Sequence, residues 1–326
     1  MRRRDFITLL GCASASWPLL AREQQQAKIG FLSSRSPDES ESVLSAFRKG
    51  LFSAGYIEGR NATVEFRWAH GQYDKLPALA MELVDRRVDI VAATGDIVSA
   101  RAAKSATSDI PVVFVIGGDP VGLGLVGSLN RPDGNLTGVS LISSGLGAKR
   151  VGLLHELVPN AALISLLLNP NNPNAALERN DVELATRRLG LRISVEAAAT
   201  IEDFEPAFAA MVQQRAGGLI VATDPFLLGR RDQLVALAAR HGIPTIYQFR
   251  EFSISGGLLS YGTNITGAYR KAGEYAGWIL CGEKQVRDLP IFQQTTLELV
   301  INMKAAKALG LNIPASLVVF ADELIE

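Results

Sequence analysis

The stretch DIVAATGDIVSARAAKSATSDIPVVFVI, residues 89–116, holds the unit from which the chain is built. Asp89 to Ala93 is a short, almost wholly apolar run, and Thr94-Gly95-Asp96 interrupts it with residues that favour turns and helix caps. Ile97 to Ala106 spaces its apolar residues along one helical face, and Pro111 to Ile116 is an apolar run once more. Strands that are apolar on both faces must be covered on both faces, which predicts a parallel sheet between layers of helix.

The same alternation extends in both directions. Upstream, Lys28 to Leu32 and Thr63 to Trp68 read as strands, and Val43 to Ala54 and Leu76 to Arg86 as helices. Downstream come a weak helix over Gly122 to Leu129 and a strand over Leu136 to Ile142. After Ser143-Ser144-Gly145 the pattern restarts. Helices are expected at Lys149 to Leu157, Asn174 to Leu189, Ile201 to Gln214 and Phe226 to Arg240, between strands at Ala161 to Leu168, Arg192 to Glu196, Gly218 to Ala222 and Pro244 to Tyr247. A strand near Leu258 to Tyr261, helices at Gly267 to Leu280 and Met303 to Leu309, and the segment Leu289 to Val300 return across both halves. The expected fold is α/β, with two doubly wound parallel-sheet lobes joined by a hinge. Residues 27–142 plus about 263–292 form the first lobe, and residues 143–262 plus about 293–326 the second.

Composition narrows the function. A chain of 326 residues that is 48% hydrophobic and 20% charged can bury the cores of two lobes. Basic and acidic residues both number 33, so there is no basic surplus to neutralise a phosphate backbone, and nucleic acid is not expected as a partner. The segment over residues 1–26 has the three-part plan of a signal peptide: consecutive arginines, an apolar stretch from Ile7 to Leu20, and a polar end after Ala21. That stretch, broken by Gly11 and Pro18, is too short to span about 30 Å of hydrocarbon. Arg3-Arg4-Asp5-Phe6-Ile7 is similar to the twin-arginine export motif, with an arginine-rich Sec signal as the alternative; either route leads to the periplasm. Leu9-Leu10-Gly11-Cys12 is similar to a lipoprotein signal, while cleavage after Ala21 removes Cys12 and leaves Cys281, read as a buried small apolar residue, without a disulfide partner.

Five stretches carry a resemblance: Gly117-Gly118-Asp119-Pro120-Val121-Gly122-Leu123-Gly124, Arg131-Pro132-Asp133-Gly134-Asn135-Leu136-Thr137-Gly138, Ala222-Thr223-Asp224-Pro225-Phe226, Gly256-Gly257-Leu258-Leu259-Ser260-Tyr261-Gly262 and Leu297-Glu298-Leu299-Val300-Ile301-Asn302. With them the chain resembles the ABC-transporter substrate-binding proteins that include tryptophan-type binders, within the type I periplasmic-binding-protein fold. The resemblance implies a ligand enclosed between hinged lobes and a membrane-embedded ABC permease as partner, with no enzymatic step and no cofactor. The expected working form is a monomer.

Ligands of open parallel sheets sit outside the carboxyl ends of the strands, where loops and helix N-termini present N–H groups. In the first lobe the corresponding candidates are Ser33, Ser34, Thr94, Gly95, Gly118 and Asp119; in the second they are Asn169, Thr223, Asp224, Phe226 and Tyr247, with Tyr261 as a further aromatic. Each also has a structural explanation, as a helix cap, a turn former or a core aromatic. Serine hydroxyls and helix N-termini in the first lobe suit a carboxylate, and Asp224 suits an amine, so an amino acid or aromatic acid is the expected ligand, with a neutral amide or a purine as alternatives that would use similar groups. Gly122-x-Gly124-x-x-Gly127 matches a dinucleotide fingerprint, but it lies several residues beyond its strand, and the next strand ends in Ser143-Ser144 with no acid for a ribose. A nicotinamide-dependent oxidoreductase is thus the weaker alternative. His70, His155 and His241 lack metal-ligand spacing, and no catalytic elbow or P-loop occurs. An extracytoplasmic sensor domain coupled to a receptor is the other alternative.

Overall fold

The computed structural model describes residues 26–141 and 143–326; the export-signal residues Arg3, Arg4 and Cys12 lie outside the described residues. The first half runs β1 (Ala27–Ser33), α1 (Glu41–Ser53), β2 (Ala62–Trp68), α2 (Leu76–Asp85), β3 (Ile90–Thr94), α3 (Ile97–Ala106), β4 (Val112–Ile116) and β5 (Leu136–Ser140). Its strands lie parallel in the order β2-β1-β3-β4-β5. Every residue of β3, β4 and β5 is buried, whereas edge strand β2 is buried only at Ala62, so the all-apolar runs do mark the covered centre of the sheet.

The second half repeats this winding. It contains α4 (Gly147–Leu157), β6 (Leu163–Leu168), α5 (Ala175–Arg188), β7 (Arg192–Ala197), α6 (Phe204–Gln213), β8 (Gly218–Val221), α7 (Pro225–Gly229), α8 (Arg231–Arg240), β9 (Thr245–Tyr247), α9 (Arg250–Ile254) and β10 (Leu259–Thr263). The parallel order β7-β6-β8-β9-β10 matches that of the first sheet strand for strand.

The remaining chain ties the halves together. Helix α10 (Ile265–Leu280) returns to the first lobe and packs along α1. The contact is close because both helices carry glycine there: a Cβ on Gly50 would stand 2.0 Å from the Arg270 carbonyl oxygen, and one on Gly273 would stand 2.1 Å from that of Phe47. Strand β11 (Phe292–Gln293) extends the first sheet beside β5, and β12 (Leu297–Asn302) joins β10 antiparallel in the second. After α11 (Met303–Ala308) and α12 (Ala315–Phe320), β13 (Glu323–Ile325) closes the second sheet beside β12. The chain thus passes between the sheets three times, after β5, β10 and β11. The passages are bonded together: Gln294 N donates to Ser140 O at 2.8 Å and Asn264 N to Thr296 O at 3.3 Å.

Several expected elements differ from those found. Residues 122–129 form turns, not a helix: the Asp119 carboxylate accepts from Val121 N at 3.0 Å, and Gly124 sits at φ +70°, outside the helical region. The helix expected over Phe226 to Arg240 is broken at Arg230 into α7 and α8. Cys281, expected to be buried, is exposed where α10 ends.

Candidate functional site

The carboxyl ends of β1, β3 and β4 face those of β6 and β8 across a narrow cavity of about 20 Å³. Asp96 and Asp224 line it from opposite lobes, and each is the N-cap of the helix after its strand. Asp96 accepts from Ile97 N at 2.6 Å and Asp224 from Leu227 N at 2.9 Å, satisfying donors that a helix start leaves open. The first-lobe cap can approach its neighbours because Gly95, at φ +97°, has no side chain; a Cβ there would meet Ser34 Oγ at 2.2 Å.

The two carboxylates are joined across the lobes. Asn172 Nδ2 lies 2.7 Å from Asp96 Oδ2 and 2.9 Å from Asp224 Oδ2, and Asn174 Nδ2 donates to Asp96 Oδ1 at 3.2 Å. Tyr73 OH, from the first lobe, donates to Asp224 Oδ2 at 2.8 Å, and Asn169 Nδ2 approaches the same oxygen at 3.2 Å. Burial raises the Asp96 carboxyl to about 7, against the hydrogen bond from Ile97 N, with the Asp224 charge adding to the rise. Burial also raises Asp224, opposed by its bonds from Asn172, Leu227, Tyr73 and Asn169. The Tyr73 hydroxyl is pushed well up, first by burial and then by the charge of Asp224.

Beneath the second-lobe loop lies a fully buried ion pair. Arg150 Nη1 donates to Glu178 Oε1 at 2.8 Å, and Arg150 Nε donates to the Tyr261 carbonyl at 2.9 Å. Glu178 Oε2 accepts from Thr223 N at 2.9 Å, so the pair fixes the end of β8 immediately before Asp224. Burial pushes Glu178 up and Arg150 down, and the attraction between them opposes both shifts. Apolar groups complete the cavity: Val115, Leu141, Leu228, Phe249, Ile265 and Tyr269.

Of the residues expected from sequence, Gly95, Thr223 and Asp224 line this cavity. Asn169 stands behind Asp224 as a hydrogen-bond donor, and Ser34 is buried beside Gly95. Ser33 and Thr94 are buried and engaged with backbone: Ser33 Oγ accepts from Arg35 N at 3.2 Å, and Thr94 Oγ1 donates to Leu32 O at 3.3 Å. Gly118 supplies a carbonyl to Ser140 Oγ and lies close to Asn174. Asp119 is exposed and caps its own turn. Phe226 sits at the rim against Gly71 and Phe204. Tyr247 stacks on Phe252 at 4.4 Å within the core of the second lobe, and Tyr261 meets the site only through its carbonyl. Arg35 and Asp96 line it as well, at the ends of the Ser33-Ser34-Arg35 and Thr94-Gly95-Asp96 loops that the sequence places at the cleft, with Asp96 a carboxylate able to pair with Asp224 across it. Asn174, Phe249 and Tyr269 also line the cavity and carry no signal in the sequence that marks them. Among the described residues no group of His, Cys, Asp and Glu is placed to hold a metal ion, and no helix is long and apolar enough to cross a membrane.

Comparison with known proteins places this geometry. The family model described as ABC transporter substrate binding protein matches residues 28–325. A tyrosine-binding protein of Clostridioides difficile (strain R20291) is 27% identical over 288 residues, 88% of this chain and 82% of that protein. A solved conserved domain protein of Vibrio cholerae O1 biovar El Tor superposes with a TM-score of 0.84 at 25% identity, covering 92% of this chain and 99% of that one. A Streptococcus pneumoniae ABC domain in complex with L-Trp superposes with a TM-score of 0.80 at 25% identity, covering 91% of this chain and all of that one. The chain belongs to the ABC transporter substrate-binding proteins, an extracytoplasmic family whose type I periplasmic-binding-protein fold it shares.

Proposed function

We propose that this member of the ABC transporter substrate-binding proteins captures an amino acid or aromatic acid between its lobes and delivers it, chemically unchanged, to an ABC permease in the cytoplasmic membrane. The observation that carries the reading is the pair of buried carboxylates, Asp96 and Asp224, brought from opposite lobes to one apolar-walled cavity and bridged by Asn172. A cavity of about 20 Å³ holds little more than a water-sized group, so the lobes must part and close again around a ligand; an amine drawn between the two carboxylates would neutralise charge that burial otherwise penalises. The relatives that bind tyrosine and L-Trp support an aromatic side chain against Phe249, Ile265 and Tyr269. Export by the twin-arginine route, from Arg3-Arg4, would deliver the folded protein to the periplasm.

No bond chemistry is required. The lobes part about the three passages between the sheets; a ligand that touches both lobes favours the closed form, which the permease reads. Calorimetric titration and melting with the twenty amino acids, aromatic acids and nucleobases test the proposal. A ligand at one hundred times its Kd should stabilise the protein by about 2.7 kcal/mol, and mass spectrometry should recover it intact. Failure of every amino acid and aromatic acid to raise the melting temperature would refute the reading, as would its turnover. Replacing Arg3 and Arg4 by Lys should hold the precursor inside the cell, and undiminished export would reject the twin-arginine route.

A further inference from the structure

Arg35 is 4% exposed, yet its Nε and Nη1 are buried without a hydrogen-bond partner, and among the described residues no carboxylate pairs with it within 4 Å. Among the described residues that line the cavity it is the one cationic side chain. A buried guanidinium with unused donors is costly to hold, and its planar fork matches a carboxylate. Its third nitrogen is occupied differently: Nη2 donates to the Glu39 carbonyl at 2.7 Å. Glu39 ends a one-turn 3-10 helix, Pro37–Glu39, and its own carboxylate crosses to the second lobe, where Oε1 accepts from Arg230 Nη1 at 2.5 Å.

We infer that Arg35 is the anchor for a carboxylate on the ligand, and that through Glu39 it couples that contact to the interlobe clasp with Arg230. The inference deepens the solute-binding reading and rests on it. A carboxylate at Nε and Nη1 orients the guanidinium; the oriented Nη2 then fixes the turn that carries Glu39 to Arg230. Closure is thereby selective for ligands bearing an anionic group, and an amine of the same shape lacks the group that engages the relay. Of the serine hydroxyls expected for this task, Ser33 Oγ accepts from Arg35 N, while Ser34 Oγ is buried beside Gly95 without a hydrogen-bond partner and stands next to Arg35 in the chain as a second donor. The α3 N-terminus is likewise occupied by the Asp96 carboxylate.

A competing role is visible. Glu251 Oε2 is also buried without a partner, and the charge of Arg35 helps to lower the Glu251 carboxyl, whose largest shift is the rise caused by burial. On that view Arg35 serves Glu251 and not a ligand. Titration of L-tyrosine and L-tryptophan against tyramine and tryptamine, which lack the carboxylate, separates the two using wild-type, Arg35→Met, Arg35→Lys and Glu251→Gln proteins. The wild-type protein should prefer the amino acids by at least 100-fold. Arg35→Met should lose most of that preference while binding the amines within threefold of wild type, and Arg35→Lys should recover part of it. Glu251→Gln should keep the preference. Equal wild-type binding of amines and amino acids would overturn the inference without a variant, so misfolding of Arg35→Met cannot shelter it. So would parallel losses of melting temperature in Arg35→Met and Glu251→Gln with the preference intact. If the wild-type protein binds none of the four, the functional reading for aromatic amino acids falls and the anchor falls with it.

Discussion

Asp96 and Asp224 occupy matching places in the two lobes: each follows the third strand of its sheet in chain order and caps the next helix. Their remaining bonds differ in origin. Asp224 takes donors from its own lobe, Asn169 and Asn172, and one from the other lobe, Tyr73. Asp96 takes its side-chain donors, Asn172 and Asn174, wholly from the opposite lobe. If the lobes part, Asp224 stays held while Asp96 keeps only the Ile97 amide and meets water. Asp224 is therefore the fixture of the site, and Asp96 is the group whose surroundings report closure. Matched topology supplies matched positions; the loop sequences decide which one is rigid.

The fixture depends on the Arg150–Glu178 pair, which holds Thr223 in place from below. Arg150→Met leaves Glu178 charged, buried and without its partner, and should cost about 3–5 kcal/mol of stability in a urea titration. Adding Glu178→Leu should recover much of that loss, because an apolar pair removes the stranded charge. A loss within about 1 kcal/mol for Arg150→Met alone would show that the loop needs no such support.

Asp224→Ala should affect binding next most strongly. It removes a charged acceptor from the ligand and the acceptor that closes Tyr73 onto the second lobe, costing about 2–4 kcal/mol, or roughly thirty- to a thousandfold in affinity. Loss of the α7 cap should lower stability by about 1 kcal/mol in addition. Lower melting with affinity unchanged within threefold would reduce Asp224 to a turn former before Pro225 and would break the comparison with Asp96.

Much of this arrangement is legible in the residues. Val112–Ile116 is apolar throughout and Leu163–Leu168 is apolar but for Ser165, and both are bounded by turn formers, so local pattern and burial agree. Residues 122–129 misled because Leu125 and Val126 are buried as a helix's apolar face would be, while Asp119 and Gly124 turn the backbone away. The carboxyl-end loops were identifiable from topology alone. Their division of labour was not. Tyr73 reaches Asp224 across 151 positions of sequence, and Asn172 reaches Asp96 across 76; such contacts depend on how the lobes meet. Tyr247 ends a strand as a ligand-stacking residue would, but Phe252 five residues later takes its ring.

The different surroundings of the two carboxyls also give a pH test. With the Asp96 carboxyl raised from 3.8 to about 7 in the closed fold, the folded protein holds a proton that the unfolded chain has released between those values. Its contribution is fully present below about pH 4 and is lost as pH rises toward 7, with a slope of at most about 1.4 kcal/mol per pH unit. Asp96→Asn should flatten this part of the stability profile, so that the variant gains on the wild-type protein between pH 5 and pH 7.5 as measured by urea unfolding. Parallel profiles would mean that Asp96 is ionised in the closed form and that its environment is no more demanding than that of Asp224.

The smallest expected effect belongs to the rim. Glu39 and Arg230 join the lobes outside the cavity, with side chains 12% and 30% exposed, so water screens their attraction. Glu39→Gln keeps a hydrogen-bond acceptor and removes the charge, and should change ligand affinity by only about 0.2–1 kcal/mol. Because the clasp exists only when the lobes meet, the change should fall on dissociation: stopped-flow release should quicken by up to about fivefold, while association stays within about 1.5-fold. The difference between Glu39→Gln and wild-type protein should shrink at 1 M salt, where the Debye length falls to about 3 Å. Arg230→Gln should show the same loss, and the double variant should be no worse than either single one if the two side chains act through each other. Additive losses would make them independent surface charges and leave Asp96, Asn172 and Asp224 as the contacts that hold the lobes closed.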